Sequence, residues 1–524
     1  MLDSARHLAS LGAAPDAAAP DAASWDIPLA DEAATVALGQ MLAEEIRSGD
    51  VVTLSGGLGA GKTTLARAII RALAGDPDLE VPSPTFTLVQ AYETPRAGVL
   101  HADLYRIGSP EEVVELGLEE AAGTGVVLVE WPERAWSALG SDRLDVSLGL
   151  EPGGERRASL TAAGRLAPRL ARLKAVRALL AACGWQDARR IPMQGDASTR
   201  AYERLVKPSG ETAILMISPP RPDGPPVRRG KPYSAIAKLA ESVHAFVAMD
   251  RGLAAMGFSA PRIYGEDLKT GLLVLEDLGA EGVVDGRAPI PERYAEATRL
   301  LAKLHGAMLP GVLPVAEGQT YALPEYDLEA LLIEVELLLD WYVPHVAGGL
   351  LPASARAEFV RLWTEALEPQ VAGPKTWTLR DYHSPNLLWL EARADLRRVG
   401  LIDFQDAVLG PPAYDVASLL QDARVTVPPE LELKLLSLYA RERRAAEPDF
   451  DMAGFAASYA VMAAQRATKV LGIFARLNKR DGKPQYLAHL PRVEAYLVRN
   501  LAHPILSKLR GWYESHLPRL FEAR

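Results

Sequence analysis

The sequence predicts two domains of different class: an α/β unit on a mostly parallel sheet, then a larger, two-lobed α+β unit. Three observations carry this. The chain has 524 residues, beyond the roughly 250–300 at which single cores stop growing. Between residues 25 and 165 short apolar strands alternate with helical stretches, the pattern of a parallel sheet covered on its faces. After about residue 168 strands and helices mix up to Leu278, and from Pro291 onward the pattern is chiefly helical. The expected division is a tail over 1–24, a first domain over 25–167 and a second over 168–524, with lobes of about 175–278 and 279–515.

The first domain reads element by element. Residues 1–24 are rich in Ala, Pro and Asp without apolar period, which predicts a mobile tail. A strand is expected near 27–29. Asp31 is placed to cap a helix reaching about Arg47, with Val36, Met41, Leu42 and Ile46 facing the core. Residues 51–54 form a short buried strand, followed by a glycine-rich loop and a helix from Lys62 to about Leu73. Further strands are expected at 99–102 and 126–129. A hairpin of 144–150 and 157–161, turned by Pro152-Gly153-Gly154, closes the domain.

Composition is globular, 48% hydrophobic and 24% charged. Charges or prolines interrupt every long apolar stretch, which argues against a membrane span. The start, Met1-Leu2-Asp3, lacks the basic and apolar regions of a secretory signal. The lone Cys183 cannot close an internal disulfide and reads as a small apolar residue, so the expectation is a cytoplasmic protein. The net charge of −10 argues against direct contact with nucleic acid. One local exception runs from Arg156 to Arg190, including Arg157, Arg165, Arg169, Arg172, Lys174, Arg177 and Arg189. It reads as a solvated helix face at the domain junction; the competing reading is a contact for RNA or an acidic partner.

Two motifs carry chemistry. Gly56-Gly57-Leu58-Gly59-Ala60-Gly61-Lys62-Thr63 fits G-x-x-x-x-G-K-[ST] between a strand and a helix. Glycines let backbone N–H groups curl around phosphate, and the helix start points its positive end at the same anion. Gly57, Leu58, Gly59, Ala60, Gly61, Lys62, Thr63 and Thr64 are therefore expected to hold ATP, with Lys62 on the β/γ-phosphates and the Thr63 hydroxyl on Mg²⁺. Mg²⁺ also needs a carboxylate at a strand end. Glu130 and Asp103 each close an apolar run, and at least one is expected to serve.

In the second domain, Arg380-Asp381-Tyr382-His383-Ser384-Pro385-Asn386 sets Asp and Asn five apart, and Asp403 follows an apolar run before Phe404. Phosphoryl transfer needs a carboxylate that takes the attacking hydroxyl's proton, assigned to Asp381, and oxygen ligands for metal, assigned to Asn386 and Asp403. The turn Gln194–Arg200, with Asp196, Ser198 and Arg200, is the candidate to cover the nucleotide. The run ending at Glu276 leads to an interlobe connector where adenine could bond the backbone.

The first domain resembles the TsaE family, the ATPase subunit of bacterial tRNA threonylcarbamoyladenosine synthesis, over roughly 25–165. The resemblance rests on the phosphate loop, Ser83-Pro84-Thr85-Phe86-Thr87-Leu88-Val89, His101-Ala102-Asp103-Leu104-Tyr105-Arg106, Leu116-Gly117-Leu118-Glu119-Glu120 and Glu130-Trp131-Pro132-Glu133. It implies that Thr85 senses nucleotide, that Asp103 and Glu130 face the Mg²⁺ and attacking water, and that hydrolysis supports partner proteins of a tRNA-modification complex. Gly57 stands where that family often carries Asp.

The second domain resembles aminoglycoside phosphotransferase-like kinases over roughly 175–510, and among them the anomeric kinases of N-acetylmuramate and N-acetylglucosamine. Gly195-Asp196-Ala197-Ser198, the Asp381 loop, Ile402-Asp403-Phe404-Gln405-Asp406-Ala407 and Tyr414-Asp415 carry that match. It implies an α+β fold like that of protein kinases and a small sugar substrate. Met216 stands where many relatives place a phosphate-contacting Lys, and Arg200 is the candidate replacement. Asp415 is expected to brace the catalytic loop, and Arg466, Lys469 and Arg476 to be solvated. An aminoglycoside or choline-like alcohol as acceptor, with the first domain a docking module, is the alternative.

Overall fold

The computed structural model describes residues 22–151, 155–193, 200–220 and 224–522. The turn at 152–154 and all of 194–199, including Asp196 and Ser198, lie outside the described residues. The chain divides between Ala181 and Ala182 into two compact units.

The first unit runs β1 Ala23–Leu29, α1 Glu32–Glu45, β2 Val51–Gly56, α2 Lys62–Ala74, β3 Val89–Tyr92, β4 Val99–Asp103, α3 Pro110–Val114, α4 Leu118–Thr124, β5 Val126–Glu130, β6 Leu144–Leu150, β7 Arg156–Ala162 and α5 Ala167–Ala182. Its seven strands lie in the order β1-β7-β6-β2-β5-β4-β3. The central four are parallel, because each returns through a helix or long crossover, and antiparallel strands close both margins. Asp31 caps α1 as expected, its Oδ1 accepting from the Ala34 N–H at 2.8 Å. Of the four core candidates on this helix, Leu42 and Ile46 are buried, whereas Val36 and Met41 are half-buried; Leu38 and Ala43 complete the apolar stripe. β1 begins at Ala23, inside the expected tail, because pairing with β7 extends from Ala23↔Ala162 to Leu29↔Arg156. The edge strand β3 was not expected; its sequence, Val89-Gln90-Ala91-Tyr92, is half polar.

The unit boundary falls one helix later than 167/168. α5 buries Leu170 and Leu173 in the first core. Arg169 meets Asp50 at 2.5 Å, Arg177 meets Glu44 at 3.1 Å and Arg172 pairs with Glu45, all within the first unit. Three arginines of the run are thus tied to acids of the same unit, whereas Arg156, Arg157, Arg165, Lys174 and Arg189 lie exposed.

The second unit opens with an antiparallel sheet of β8 Arg189–Met193, β9 Ala201–Val206 and β10 Thr212–Ile217. A small ladder, β11 Pro226–Arg228 with β12 Lys231–Pro232, and helices α6 Tyr233–Ile236 and α7 Val243–Ala255 follow. β13 Ile263–Asp267 and β14 Leu272–Glu276 then complete the sheet in the order β13-β14-β10-β9-β8. The rest is chiefly helical: α8 Pro291–His305, α9 Leu328–Leu337, α10 Ala353–Ala372, α11 Ala413–Leu420, α12 Pro429–Ala446, α13 Met452–Asp481, α14 Leu490–Leu501 and α15 Ser507–His516. α13 packs against α9, α11 and α14. For that reason Arg466 and Lys469 are buried and Arg476 half-buried, not solvated. Among the described residues no helix is long and apolar enough to cross a membrane.

One buried acid sits outside any site. Asp250 on α7 is 4% exposed, and its Oδ2 has no hydrogen-bond partner among the described residues. Desolvation, opposed by Arg251 and reinforced by Glu276, pushes its carboxyl up to about 8. The folded state then binds a proton that the unfolded chain releases near pH 4. Stability is lost as pH rises from about 4 to about 8 and is flat above that. Asp250→Asn should therefore raise the thermal midpoint relative to wild type more at pH 9 than at pH 5. Melting curves at the two pH values check this.

Candidate active sites

In the first unit, parallel pairing brings the C-terminal ends of β2, β4 and β5 to one edge. Asp103 lies opposite Glu130 in the β4–β5 register, and Leu54 lies opposite Glu130 from β2. The loop after β2 needs glycine at two points. Gly56 adopts φ 134°, and a Cβ there would meet the Leu148 carbonyl oxygen at 2.4 Å; Gly61, ahead of α2, adopts φ 105°. A Cβ at Gly57 would meet nothing within 4 Å, so the departure there leaves the loop backbone unaffected.

The buried Lys62 donates to the Gly56 and Gly57 carbonyls at 2.8 and 2.9 Å, with its ammonium 3.6 Å from the Trp131 ring centroid. The Thr63 hydroxyl donates to Glu130 Oε2 at 2.9 Å, and His101 Nε2 lies 2.9 Å from Glu130 Oε1. Asp103 accepts from the Thr85 hydroxyl at 2.7 Å and from the Tyr105 N–H at 2.9 Å. Both carboxylates are almost fully buried. Lys62, Thr63, Thr85, Asp103 and Glu130 are therefore one cluster.

In the second unit, a cleft of about 760 Å³ is walled by Arg200, just ahead of β9, by sheet residues Tyr202 and Ile214, and by Asp381, Asn386 and Asp403 from the helical lobe. A larger open hollow of about 960 Å³, beside Arg299 and Lys303, holds none of the predicted residues. Asn386 Nδ2 donates to the Asp381 carbonyl at 3.0 Å and to Asp403 Oδ2 at 3.4 Å. Gln405 Nε2 donates to Asp403 Oδ1 at 2.7 Å, and Arg200 stands 3.5 Å from the same oxygen. Phe404 stacks on Phe246 of α7 at 4.9 Å.

The loop around Asp381 is held from behind. Asp415, fully buried, accepts from the Leu379 and Arg380 N–H groups at 2.6 and 2.9 Å. Asp422 accepts from the Ser384 N–H and hydroxyl at 2.8 and 2.6 Å. Arg380 and Asp403 sit at φ 66° and 59°, strained for residues with a Cβ. Desolvation pushes the Asp381 carboxyl up, but His383, Lys469, Arg380 and Arg466 outweigh it and hold it below the usual carboxylate range. Burial in turn pushes His383 down, so the three permanent cations carry that effect at neutral pH. Asp403 is raised by desolvation and by the Asp381 charge.

The comparisons follow this division. The profile of "Threonylcarbamoyl adenosine biosynthesis protein TsaE" matches residues 29–158, and that of "Phosphotransferase enzyme family" matches residues 187–450. The N-acetylmuramate/N-acetylglucosamine kinase of Caulobacter vibrioides is 40% identical over 354 residues, covering 65% of this chain and 95% of the relative. The kinase of the same name from Pseudomonas aeruginosa is 32% identical over 355 residues, covering 66% and 94%. The TsaE protein of Rickettsia typhi is 39% identical over 132 residues, covering 25% and 91%. The chain belongs to both families. It is thus an enzyme that joins a TsaE-family ATPase unit to a phosphotransferase-family unit with an alcohol as acceptor.

Within the phosphotransferase-family unit, Glu276 at the end of β14 lies in the cleft wall. Its carboxylate is taken up by Arg393 and by the Arg262 N–H. Met216 is buried in the core, and Arg200 is the cation that stands beside Asp403. In the TsaE-family unit, sequence reasoning gave no role to His101 or Trp131, although both lie within quoted motifs. In the second unit it missed Glu334 on α9, which is fully buried and pairs with Arg380 and, at 2.8 Å, with Lys469. An acid inside the apolar run Leu331-Leu332-Ile333-Glu334-Val335 is the signal that could have found it.

Asp415→Ala would orphan two buried amides and cost roughly 2–4 kcal/mol. The unfolding midpoint of the second unit should fall, and kcat should fall with it as the Asp381 loop loosens. Denaturant titration and phosphotransfer kinetics together test both.

Proposed function

We propose that the second unit transfers the γ-phosphoryl group of ATP to the anomeric hydroxyl of N-acetylmuramate or N-acetylglucosamine. The first unit, in this reading, hydrolyses ATP in support of tRNA threonylcarbamoyladenosine formation. The observation that carries the kinase reading is the state of Asp381. Its carboxylate accepts no hydrogen bond among the described residues, is 42% exposed, and faces a cleft shared with Asn386 and Asp403. The relatives' names supply the substrate class.

Asp381 accepts the proton of the attacking hydroxyl and aims its oxygen along the transfer line. Held ionised by the cations behind it, Asp381 is ready at neutral pH. A loose transition state asks more for orientation than for base strength. Asn386 and Asp403 offer hard oxygens, and Gln405 fixes the Asp403 carboxylate. Among the described residues no three His, Cys, Asp or Glu side chains form a ready metal cluster, which fits a Mg²⁺ that arrives with the triphosphate and takes phosphate oxygens as further ligands. Mg²⁺ would neutralise charge on the β- and γ-phosphates. Arg200 supplies a cation where Met216 cannot. In the first unit the chemistry of the donors, Thr63, Asp103 and Glu130, suits the same ion. Lys62 must leave the loop carbonyls to reach phosphate, and Thr85 on Asp103 is placed to report the nucleotide.

Partners of the first unit, in this reading, are proteins of a tRNA-modification complex, and the chain works in the cytoplasm. The internal pairing of the basic run supports the absence of direct nucleic-acid contact. Asp381→Asn should lower sugar phosphorylation by about 10²–10⁴-fold and spare ATP hydrolysis by the first unit. Lys62→Ala should do the reverse. Radiolabelled ATP assays with a panel of sugars, aminoglycosides and choline read both. Phosphorylation of an aminoglycoside or choline in preference to either amino sugar would refute the acceptor assignment.

A further inference from the structure

Strand alternation puts Val99, His101 and Asp103 on one face of β4. The β4–β5 register sets His101 against Leu128, one step below the Asp103–Glu130 pair. Val99 and Leu128 on this face belong to a core that includes Leu65, Ile69 and Ile70 of α2. The position is therefore one that an apolar side chain would fill. His101 occupies it instead and is 0% exposed. Its Nε2 lies 2.9 Å from Glu130 Oε1, and its Nδ1 is buried with no hydrogen-bond partner among the described residues.

These contacts fix the ring's protonation. A carboxylate only accepts, so Nε2 carries the ring proton and Nδ1 is left as a dry, unmatched acceptor. An unmatched buried acceptor lowers stability, so packing does not explain a histidine here. What the ring holds does. Glu130 Oε1 goes to His101, and Oε2 takes the Thr63 hydroxyl at 2.9 Å. With one oxygen fixed from below, the other is kept on the phosphate-loop side.

We infer that His101 is a positioning residue for ATP hydrolysis by the TsaE-family unit. By holding Glu130 Oε1 it commits Oε2 to Thr63 and to the place where Mg²⁺ would serve the phosphates. It acts through Glu130 alone. The inference rests on ATP hydrolysis by this unit and not on the role in tRNA modification.

The test is sugar-free ATP hydrolysis by the full chain, with the Lys62→Ala rate subtracted, for wild type, His101→Leu and His101→Gln. Leu suits the apolar surroundings but bonds nothing, whereas Gln presents an N–H near the position of Nε2. His101→Leu should lower kcat by about 10–100-fold and raise the half-saturating Mg²⁺ concentration by a similar factor, with the KM for ATP little changed. His101→Gln should recover most of both. Mn²⁺ bound in the presence of ADP, counted by electron paramagnetic resonance against the Lys62→Ala chain, should weaken with Leu and return with Gln, a readout that needs no turnover. Thermal melts show whether each variant is folded; if Leu is not, His101→Asn, whose amide stops short of Oε1, takes its place. A folded Leu or Asn variant with unchanged kcat and Mn²⁺ affinity overturns the inference. So does a folded Gln variant as poor as Leu. A wild type no faster than Lys62→Ala overturns it at its root, hydrolysis by this unit.

Discussion

A carboxylate near a phosphate must stay ionised while the protein around it excludes water, and it can do so only where donors or cations meet it. Both units are arranged around that constraint. In the first, Glu130 is held between Thr63 and His101, and Asp103 between Thr85 and the Tyr105 amide. In the second, Gln405 and Asn386 meet Asp403, while Asp415, behind the loop, is pushed up to about 7 by burial despite the two amides that meet it. Asp381 is the exception, and that contrast is what marks it: its neighbours act on it by charge at a distance and leave its oxygens free for substrate.

The charges behind Asp381 need their own support. Arg380 and Lys469 converge on Glu334, which also accepts from Tyr326 and, at 3.1 Å, from Gln465. Arg380 further donates to the Ala237 carbonyl at 2.9 Å, tying the loop to the segment after α6. Such a network contributes little net stability compared with apolar packing, but removing one member leaves the others buried and unpaired. Its value is geometric. It lets residues with a Cβ occupy left-handed backbone at Arg380 and hold Asp381 at a fixed angle to the cleft.

The fold class and both motif sites were legible in the sequence because their signals are local. A glycine loop between strand and helix, and Asp-x₄-Asn followed by Asp-Phe, fix chemistry at short spacing. Strand ends at Asp103 and Glu130 were readable because each closes an apolar run. What was not legible depends on long-range pairing. β3 is too polar to announce itself and exists because β4 offers an edge. α5 reads as part of the second domain until its arginines find Asp50, Glu45 and Glu44, more than a hundred residues earlier. Arg466 and Lys469 read as surface charges because composition cannot show that α13 is surrounded. Glu276 lines the cleft, and which groups hold its carboxylate, the Arg262 amide and Arg393, could not be read from the sequence.

The same kind of pairing recurs along the basic segment. Arg157 meets Glu151 and Arg165 meets Asp142, each at 2.8 Å, and Arg190 meets Glu203 at 2.6 Å, in addition to the three pairs that fix α5. A cation paired at contact distance projects little field beyond a Debye length, about 8 Å at physiological salt. What a polyanion would meet from further off is the net charge of −10. The role in tRNA modification proposed for the first unit is consistent, on this charge balance, with action through protein partners.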